Sequence, residues 1–290
     1  MSVPSLEFTG ERFTPECVRE IWYEHWHRYA FARALAGGRR VLDAACGEGY
    51  GSALLAQNAR SVVGLDLSPQ AIGHAQARYG AQSNLSFRQA DATRLDALPD
   101  AGFDLIVSFE TLEHVQEQER MLDGFARLLA PGGVLLVSTP DKRNYSDLPG
   151  FRNEHHVREL YRDEFEAMLD ARFPQRRLYA HKLLFQSALW ALDDGRDYAA
   201  TVLDDAAQLR SGLDYPPLYY IAVCSRGDDP LPELPALSLF GDAAESVYGH
   251  YNGEVRRNIA AGHRILELEQ QLAAAQAELA TLRRNDPAPR

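Results

Sequence analysis

Three side chains that can move a proton or hold a cation share one short stretch, FDLIVSFETLEHV at 103–115: Glu110, Glu113 and His114. An imidazole titrates near neutrality, so His114 suits a general base that takes a proton from a hydroxyl. Two carboxylates and an imidazole also make half of a divalent-cation site. The blandest role is structural, since a carboxylate near a helix start commonly serves as a cap or dipole partner. The apolar run before them reads as a buried strand, which puts all three at its carboxyl end. A second group lies in NEHHVREL at 153–160, where His155 and His156 are flanked by Asn153, Glu154 and Arg158. That composition suits the gripping of a polar molecule.

The third feature is a glycine turn. VLDAACGEGYGS at 41–52 places Gly47, Gly49 and Gly51 between a strand and a helix. Glycine lets backbone approach a ligand closely, and a helix N-terminus adds exposed N–H donors. A dinucleotide site would favour GxGxxG, whereas this turn reads GxGxG after Asp43. A carboxylate there repels a pyrophosphate and suits a cation. Asp66 ends the next strand, where a carboxylate can accept both hydroxyls of a ribose. Asp91 follows the third strand, where it can accept from an adenine amino group. Acids at three strand ends describe a site for a nucleoside carrying positive charge.

The elements that must position these residues are legible as an alternation. RRVLDAAC, SVVGLDLS, LSFRQADA, FDLIVSFE and GGVLLVSTP read as strands. EGYGSALLAQNA, PQAIGHAQARYG and QEQERMLDGFARLLA between them read as helices. Such alternation specifies a parallel sheet covered on both faces, with ligands at its carboxyl edge. Further on, RDEFEAMLDARF is an amphipathic helix, and RRLYAHKLLFQ and LYYIAVCS are expected as paired strands. The stretch of about 190–216 between those strands is expected to be an insertion. DDPLPELPALSLFGD is Pro-rich and expected to act as a linker. In the tail, Ile265, Leu268, Leu272, Ala275, Leu279 and Leu282 recur at heptad spacing. That seam is expected either to dock on the domain or, in preference, to associate with another copy or a coiled-coil partner.

VLDAACGEGYGS, GLDLS, ADAT and FDLIVSFETLEHV resemble, in order, the motifs of class I S-adenosylmethionine-dependent methyltransferases of the ubiquinone-type (type 11) subgroup. The resemblance implies an α/β, Rossmann-like sheet of seven strands with the last antiparallel. It implies that Asp43, Ala45, Gly47 and Gly49 hold the amino acid moiety of S-adenosylmethionine. Asp66 would hold the ribose and Asp91 with Ala92 the adenine, and Leu67 and Phe109 would belong to the same cofactor site. In some such relatives the Glu, Glu and His of E-x-x-EH bind a divalent cation, which would place one on Glu110, Glu113 and His114. Others need no metal, and a metal is not the favoured reading here. TGERFTPE, YEHWHRYAFA and NEHHVREL are similar to bacterial methyltransferases of surface-polysaccharide gene clusters, and His156 precedes their V-x-E-L pattern. The aromatic helix around Tyr23 to Tyr29 then becomes a lid.

The expected organisation is an N-terminal helical lid at 1–38, a methyltransferase domain at 39–226, a linker at 227–253 and a coiled-coil-like helix at 254–284. The expected activity is O-methylation of a sugar hydroxyl in surface polysaccharide (O-antigen-like) biosynthesis, with His114, His156 and Glu110 as the catalytic group. The alternatives are a phenol or quinone-precursor O-methyltransferase and a non-catalytic, cofactor-binding scaffold. The absence of a Pro-Pro-aromatic element in SFETLEH argues against DNA bases and amide nitrogens as substrates. A net charge of −11 argues against a general nucleic-acid binder. No apolar run approaches the ~18 residues of a membrane span, and the N-terminus lacks the pattern of a secretory signal. Three widely separated cysteines fit a reducing cytoplasm.

Overall fold

Short, doubly buried strands alternating with helices fold as their pattern dictates. The computed structural model describes residues 20–188, 199–203 and 208–285. After helix α1 (Glu20–Leu35) come β1 (Arg40–Ala44), α2 (Tyr50–Ala56), β2 (Ser61–Asp66), α3 (Pro69–Tyr79) and β3 (Leu85–Gln89). Then follow β4 (Phe103–Ser108), α4 (Gln118–Leu128), β5 (Leu129–Pro140), α5 (Arg162–Asp170) and β6 (Gln175–His181). Two three-residue strands, β7 (Thr201–Leu203) and β8 (Leu209–Ser211), precede β9 (Tyr219–Ser225) and the long α6 (Ser246–Asn285). The TGERFTPE segment and much of the expected insertion lie outside the described residues.

Seven strands form one sheet in the order β3-β2-β1-β4-β5-β9-β6. β9 runs antiparallel to both its neighbours, and the other pairings from β3 to β5 are parallel. This is the seven-stranded sheet with an antiparallel last strand that the motifs implied. Successive residues of a strand face opposite layers. Leu105 and Val107 of β4 join Val41, Val134, Leu136 and Val223 under α1 and α2. Ile106 joins Leu42, Leu135 and Val137 under α4 and α5, where Met121, Phe125, Phe165 and Leu169 are fully buried. α3 starts where Pro69 fits a first turn and the Ser68 hydroxyl accepts from the Ala71 N–H at 3.2 Å.

Two expectations change. The helix expected across 48–59 spans only Tyr50–Ala56, because Gly49 is its left-handed N-cap. The Pro-rich stretch is not a free tether over its whole length. Leu231 and Leu234 pack on the core, and the Tyr179 hydroxyl donates to the Pro235 carbonyl at 2.8 Å. Phe240 lies against Trp22, Tyr23 and His27 of α1. Apolar leucines spaced among prolines gain more from this contact than from solvent. The chain divides into two units, 1–240 and 241–290, and α6 lies in the second. No helix among the described residues is long and apolar enough to cross a membrane.

Candidate active site

Parallel register brings the carboxyl ends of β1, β2 and β4 to one edge, with Asp43 opposite Gly64 and Val107. Asp66 ties this edge together. Its carboxylate accepts from the Gly47 N–H at 2.9 Å and from the Ser68 N–H at 2.8 Å. A carboxylate has about four acceptor positions, so two remain for hydroxyl donors. Leu67, beside it, is 66% exposed and offers an apolar surface to a planar ring. Asp91 accepts from the backbone N–H and hydroxyl of Thr93 at 2.8 and 2.7 Å. Slight burial opposes ionisation there, but these bonds prevail and hold its carboxyl below the usual range. Ala92 follows it at the same edge, half-buried.

Three expected cofactor residues are placed differently from the sequence reading. Asp43 is fully buried, and its oxygens accept from the Tyr29 hydroxyl at 3.0 Å and the Ser52 hydroxyl at 2.5 Å. Its first task is to join α1 to the glycine turn. Gly49 does not open onto ligand space: a Cβ there would meet the Phe87 ring at 2.7 Å and Ala75 at 2.8 Å. A Cβ at Gly47 would meet nothing within 4 Å, so the open backbone of the turn is at Gly47, and Ala45 precedes it at φ 64. Phe109 is only 7% exposed and packs edge-on against Tyr29, centroids 5.1 Å apart. The glycine pattern carried no sign of which glycine faces the protein.

Burial pushes the Asp43 carboxyl up to about 7, despite the bonds from Ser52 and Tyr29. An ordinary aspartate lies near about 3.9. A folded-state value above the unfolded one favours folding at low pH, and that contribution is lost as pH rises from about 4 through about 7. Asp43→Asn removes this loss. The variant is therefore expected to gain stability relative to the parent between about pH 5 and about pH 8 in urea titrations. Parallel pH dependence in the two proteins would refute the assignment.

The second cluster is assembled by backbone. A single 3₁₀ turn, Leu112–His114, follows β4. The Glu113 carbonyl accepts from the N–H groups of Val157 at 2.8 Å and Arg158 at 3.1 Å. The Gln118 side chain donates to the carbonyls of Leu112 and Arg158, each at 2.8 Å. These bonds staple the loop after β5 onto the turn and bring the His114 and His156 rings to 4.8 Å, edge to face. His114 Nδ1 lies 3.1 Å from the His155 carbonyl. A carbonyl only accepts, so Nδ1 is the donor in that contact, and Nε2 lies 3.8 Å from a Glu113 carboxylate oxygen. His156 Nδ1 lies 2.6 Å from a Glu159 carboxylate oxygen, its Nε2 lies 3.0 Å from the Asn153 amide, and its ring stacks on Tyr145. Glu113 is 1% exposed and neither side-chain oxygen has a hydrogen-bond partner among the described residues. Burial, and then the charge of Glu110, pushes its carboxyl well above the usual range.

Glu110 stands apart from this group. Its carboxylate accepts from the Ser138 hydroxyl at 2.6 Å and lies 3.5 Å from the guanidinium of Arg28. Arg28 is 1% exposed and also sits over the Tyr219 ring at 4.5 Å. The E-x-x-EH trio therefore does not gather as a metal set. Glu113 and His114 stand with His156 instead, one candidate atom from each lying within 4.8 Å of the others. Sequence reading missed Arg28, Tyr29, Ser138, Tyr145 and Glu159. Only two left a trace: Arg28 is the one cation in an aromatic run, and Glu159 follows His156 at helical spacing.

Residues 42–137 match a family model described as a methyltransferase domain. A probable S-adenosylmethionine-dependent methyltransferase of Mycolicibacterium smegmatis is 38% identical over 175 residues, 58% of this chain and 66% of that protein. The ubiquinone biosynthesis O-methyltransferase of Xylella fastidiosa strain 9a5c is 39% identical over 117 residues, 38% of this chain and 46% of that protein. The chain thus spans about two thirds or less of these curated relatives. A solved S-adenosylmethionine-dependent methyltransferase from Archaeoglobus fulgidus shares the fold, with a TM-score of 0.52 at 16% identity over 70% of this chain and 94% of that one. The chain carries a methyltransferase domain of the S-adenosylmethionine-dependent kind, on a class I fold.

Proposed function

We propose that this chain, built on that methyltransferase domain, transfers a methyl group from S-adenosylmethionine to a sugar hydroxyl of a surface polysaccharide or its precursor. S-adenosylmethionine supplies an electrophilic methyl group on a sulfonium. The glycine turn at Gly47, the remaining acceptor positions of Asp66, the exposed face of Leu67, and Asp91 with Ala92 suit its amino acid, ribose and adenine parts. Asp43 acts from beneath, bracing the turn through Ser52 and Tyr29.

The observation that carries the catalytic reading is the fixed tautomer of His114. With Nδ1 donating a hydrogen bond to the His155 carbonyl, Nε2, 3.8 Å from a Glu113 oxygen, is the ring nitrogen that would take the proton. With S-adenosylmethionine bound, its sulfonium would supply the methyl group and leave as the neutral thioether, while Nε2 of His114 would take the proton of the attacking hydroxyl. A neutral sugar hydroxyl needs that base, whereas a phenol ionises more readily. His156 and Asn153 offer further polar contacts, and Glu110 is held by Arg28 and Ser138. The density of polar groups around His114 supports a hydroxyl-rich acceptor over an apolar phenol. The sequence similarity of TGERFTPE and NEHHVREL to polysaccharide-cluster enzymes points the same way.

The test is release of S-adenosylhomocysteine with panels of sugar and phenol acceptors. Turnover confined to sugars is expected. Turnover confined to phenols would replace the acceptor, and none with any acceptor would favour a cofactor-binding scaffold. EDTA is expected to leave the rate unchanged. Loss of activity that magnesium restores would instead assign Glu113, His114 and His156 to a metal.

A further inference from the structure

Every residue of α6 from 255 to 282 is exposed. Ile265, Leu268, Leu272, Leu279 and Leu282 are each about half accessible along it, at 56, 47, 58, 54 and 60%. They belong to a heptad register that extends further back. Its a positions are Asn258, Ile265, Leu272 and Leu279, and its d positions are Ala261, Leu268, Ala275 and Leu282. Five large aliphatic side chains left in water on one seam, on a helix of 40 residues, call for a partner surface.

We propose that α6 pairs with α6 of a second copy as a parallel, in-register, two-stranded coiled coil. The charges choose this arrangement. In a parallel pair, each g position faces the e position five residues later on the other helix. Arg264 then meets Glu269, and Gln271 meets Gln276. No like charges meet, and symmetry makes every pairing occur twice. An antiparallel pair over the same seam, with Ile265 against Leu282, sets g against g and e against e. Gln271 would then face Glu278, and Glu269 would face Gln276. That arrangement forms no ion pair. Asn258 makes the same choice, because an a-position asparagine finds its twin only in a parallel, in-register pair and favours two strands over three. Arg264 bonds Glu267 of its own helix at 2.9 Å, an exposed pair that is weak and exchangeable. Alanine at two d positions keeps the association modest, so it depends on concentration. This pairing is independent of the acceptor and of methyl transfer.

The test uses the full chain at low ionic strength, where exposed charges are least screened. Light scattering is expected to show a monomer–dimer equilibrium, and truncation after Gly253 is expected to give monomer. Arg264→Glu creates two like-charge contacts and is expected to raise the dimer dissociation constant about tenfold. Adding Glu269→Arg is expected to restore it. Leu268→Cys, in a Cys17→Ser background with Cys46 and Cys224 buried, is expected to form an inter-chain disulfide in air. A monomer at all concentrations, a trimer, or a dimer that survives truncation would overturn the proposal. So would a dimer that neither responds to the charge swap nor forms the disulfide, since it would be antiparallel.

Discussion

His114→Ala is expected to lower the methyl-transfer rate by roughly 10²–10⁴ while leaving affinity for S-adenosylmethionine within about twofold. The rate falls because the hydroxyl loses the group that takes its proton. Affinity holds because the glycine turn and Asp66 lie on different strands from the 3₁₀ turn that carries His114. The effect is that of a base only if the remaining activity rises with pH, as hydroxide takes over. A variant with near-normal turnover would shift the role to His156, whose Glu159 contact fixes its tautomer in the same sense.

Gly49→Val is expected to cost about 3–5 kcal/mol of folding stability, the sum of left-handed backbone strain and overpacking. Gly49 sits at φ 90, where a β-branched residue is strongly disfavoured. Its added Cβ would meet Phe87 of β3 and Ala75 of α3 below 3 Å, in a buried layer that has little room to yield. Thermal unfolding should fall by roughly 5–15 °C. Gly47→Ala is the informative contrast. Its Cβ meets no protein atom within 4 Å, so beyond about 1–2 kcal/mol of left-handed backbone strain at φ 56 its loss is expected in cofactor affinity. Equal stability for Gly49→Val and the parent would refute the packing role.

The strand–helix alternation from Arg40 to Ser138 was readable because its central strands β1, β4 and β5 are buried runs bounded by turn residues. The β6–β9 pairing was readable from the apolar and aromatic content of RRLYAHKLLFQ and LYYIAVCS, although β6 is a largely exposed edge strand. What the sequence did not show were contacts made across long separations by ordinary residues. Tyr29 reaches Asp43 because α1 packs over the glycine turn, where the Tyr29 ring fills the space a Cβ at Gly51 would need. Nothing local to VLDAACGEG encodes that. Likewise the E-x-x-EH spacing suggested three ligands together, yet Arg28 and Ser138 hold Glu110 aside and a loop some 40 residues later supplies His156. The apolar strap around Leu231 looked like a linker because its prolines hid the spacing of its leucines.

The central claim is that S-adenosylmethionine binds over the turn that Asp66 ties together. Calorimetric titration of S-adenosylmethionine into the full chain and into Asp66→Ala tests it most directly. One site per chain is expected in the parent, with affinity roughly 5–150-fold weaker in the variant, since ribose hydroxyls and the Gly47 N–H lose their acceptor. No binding to the parent, or equal affinity in both proteins, would contradict it.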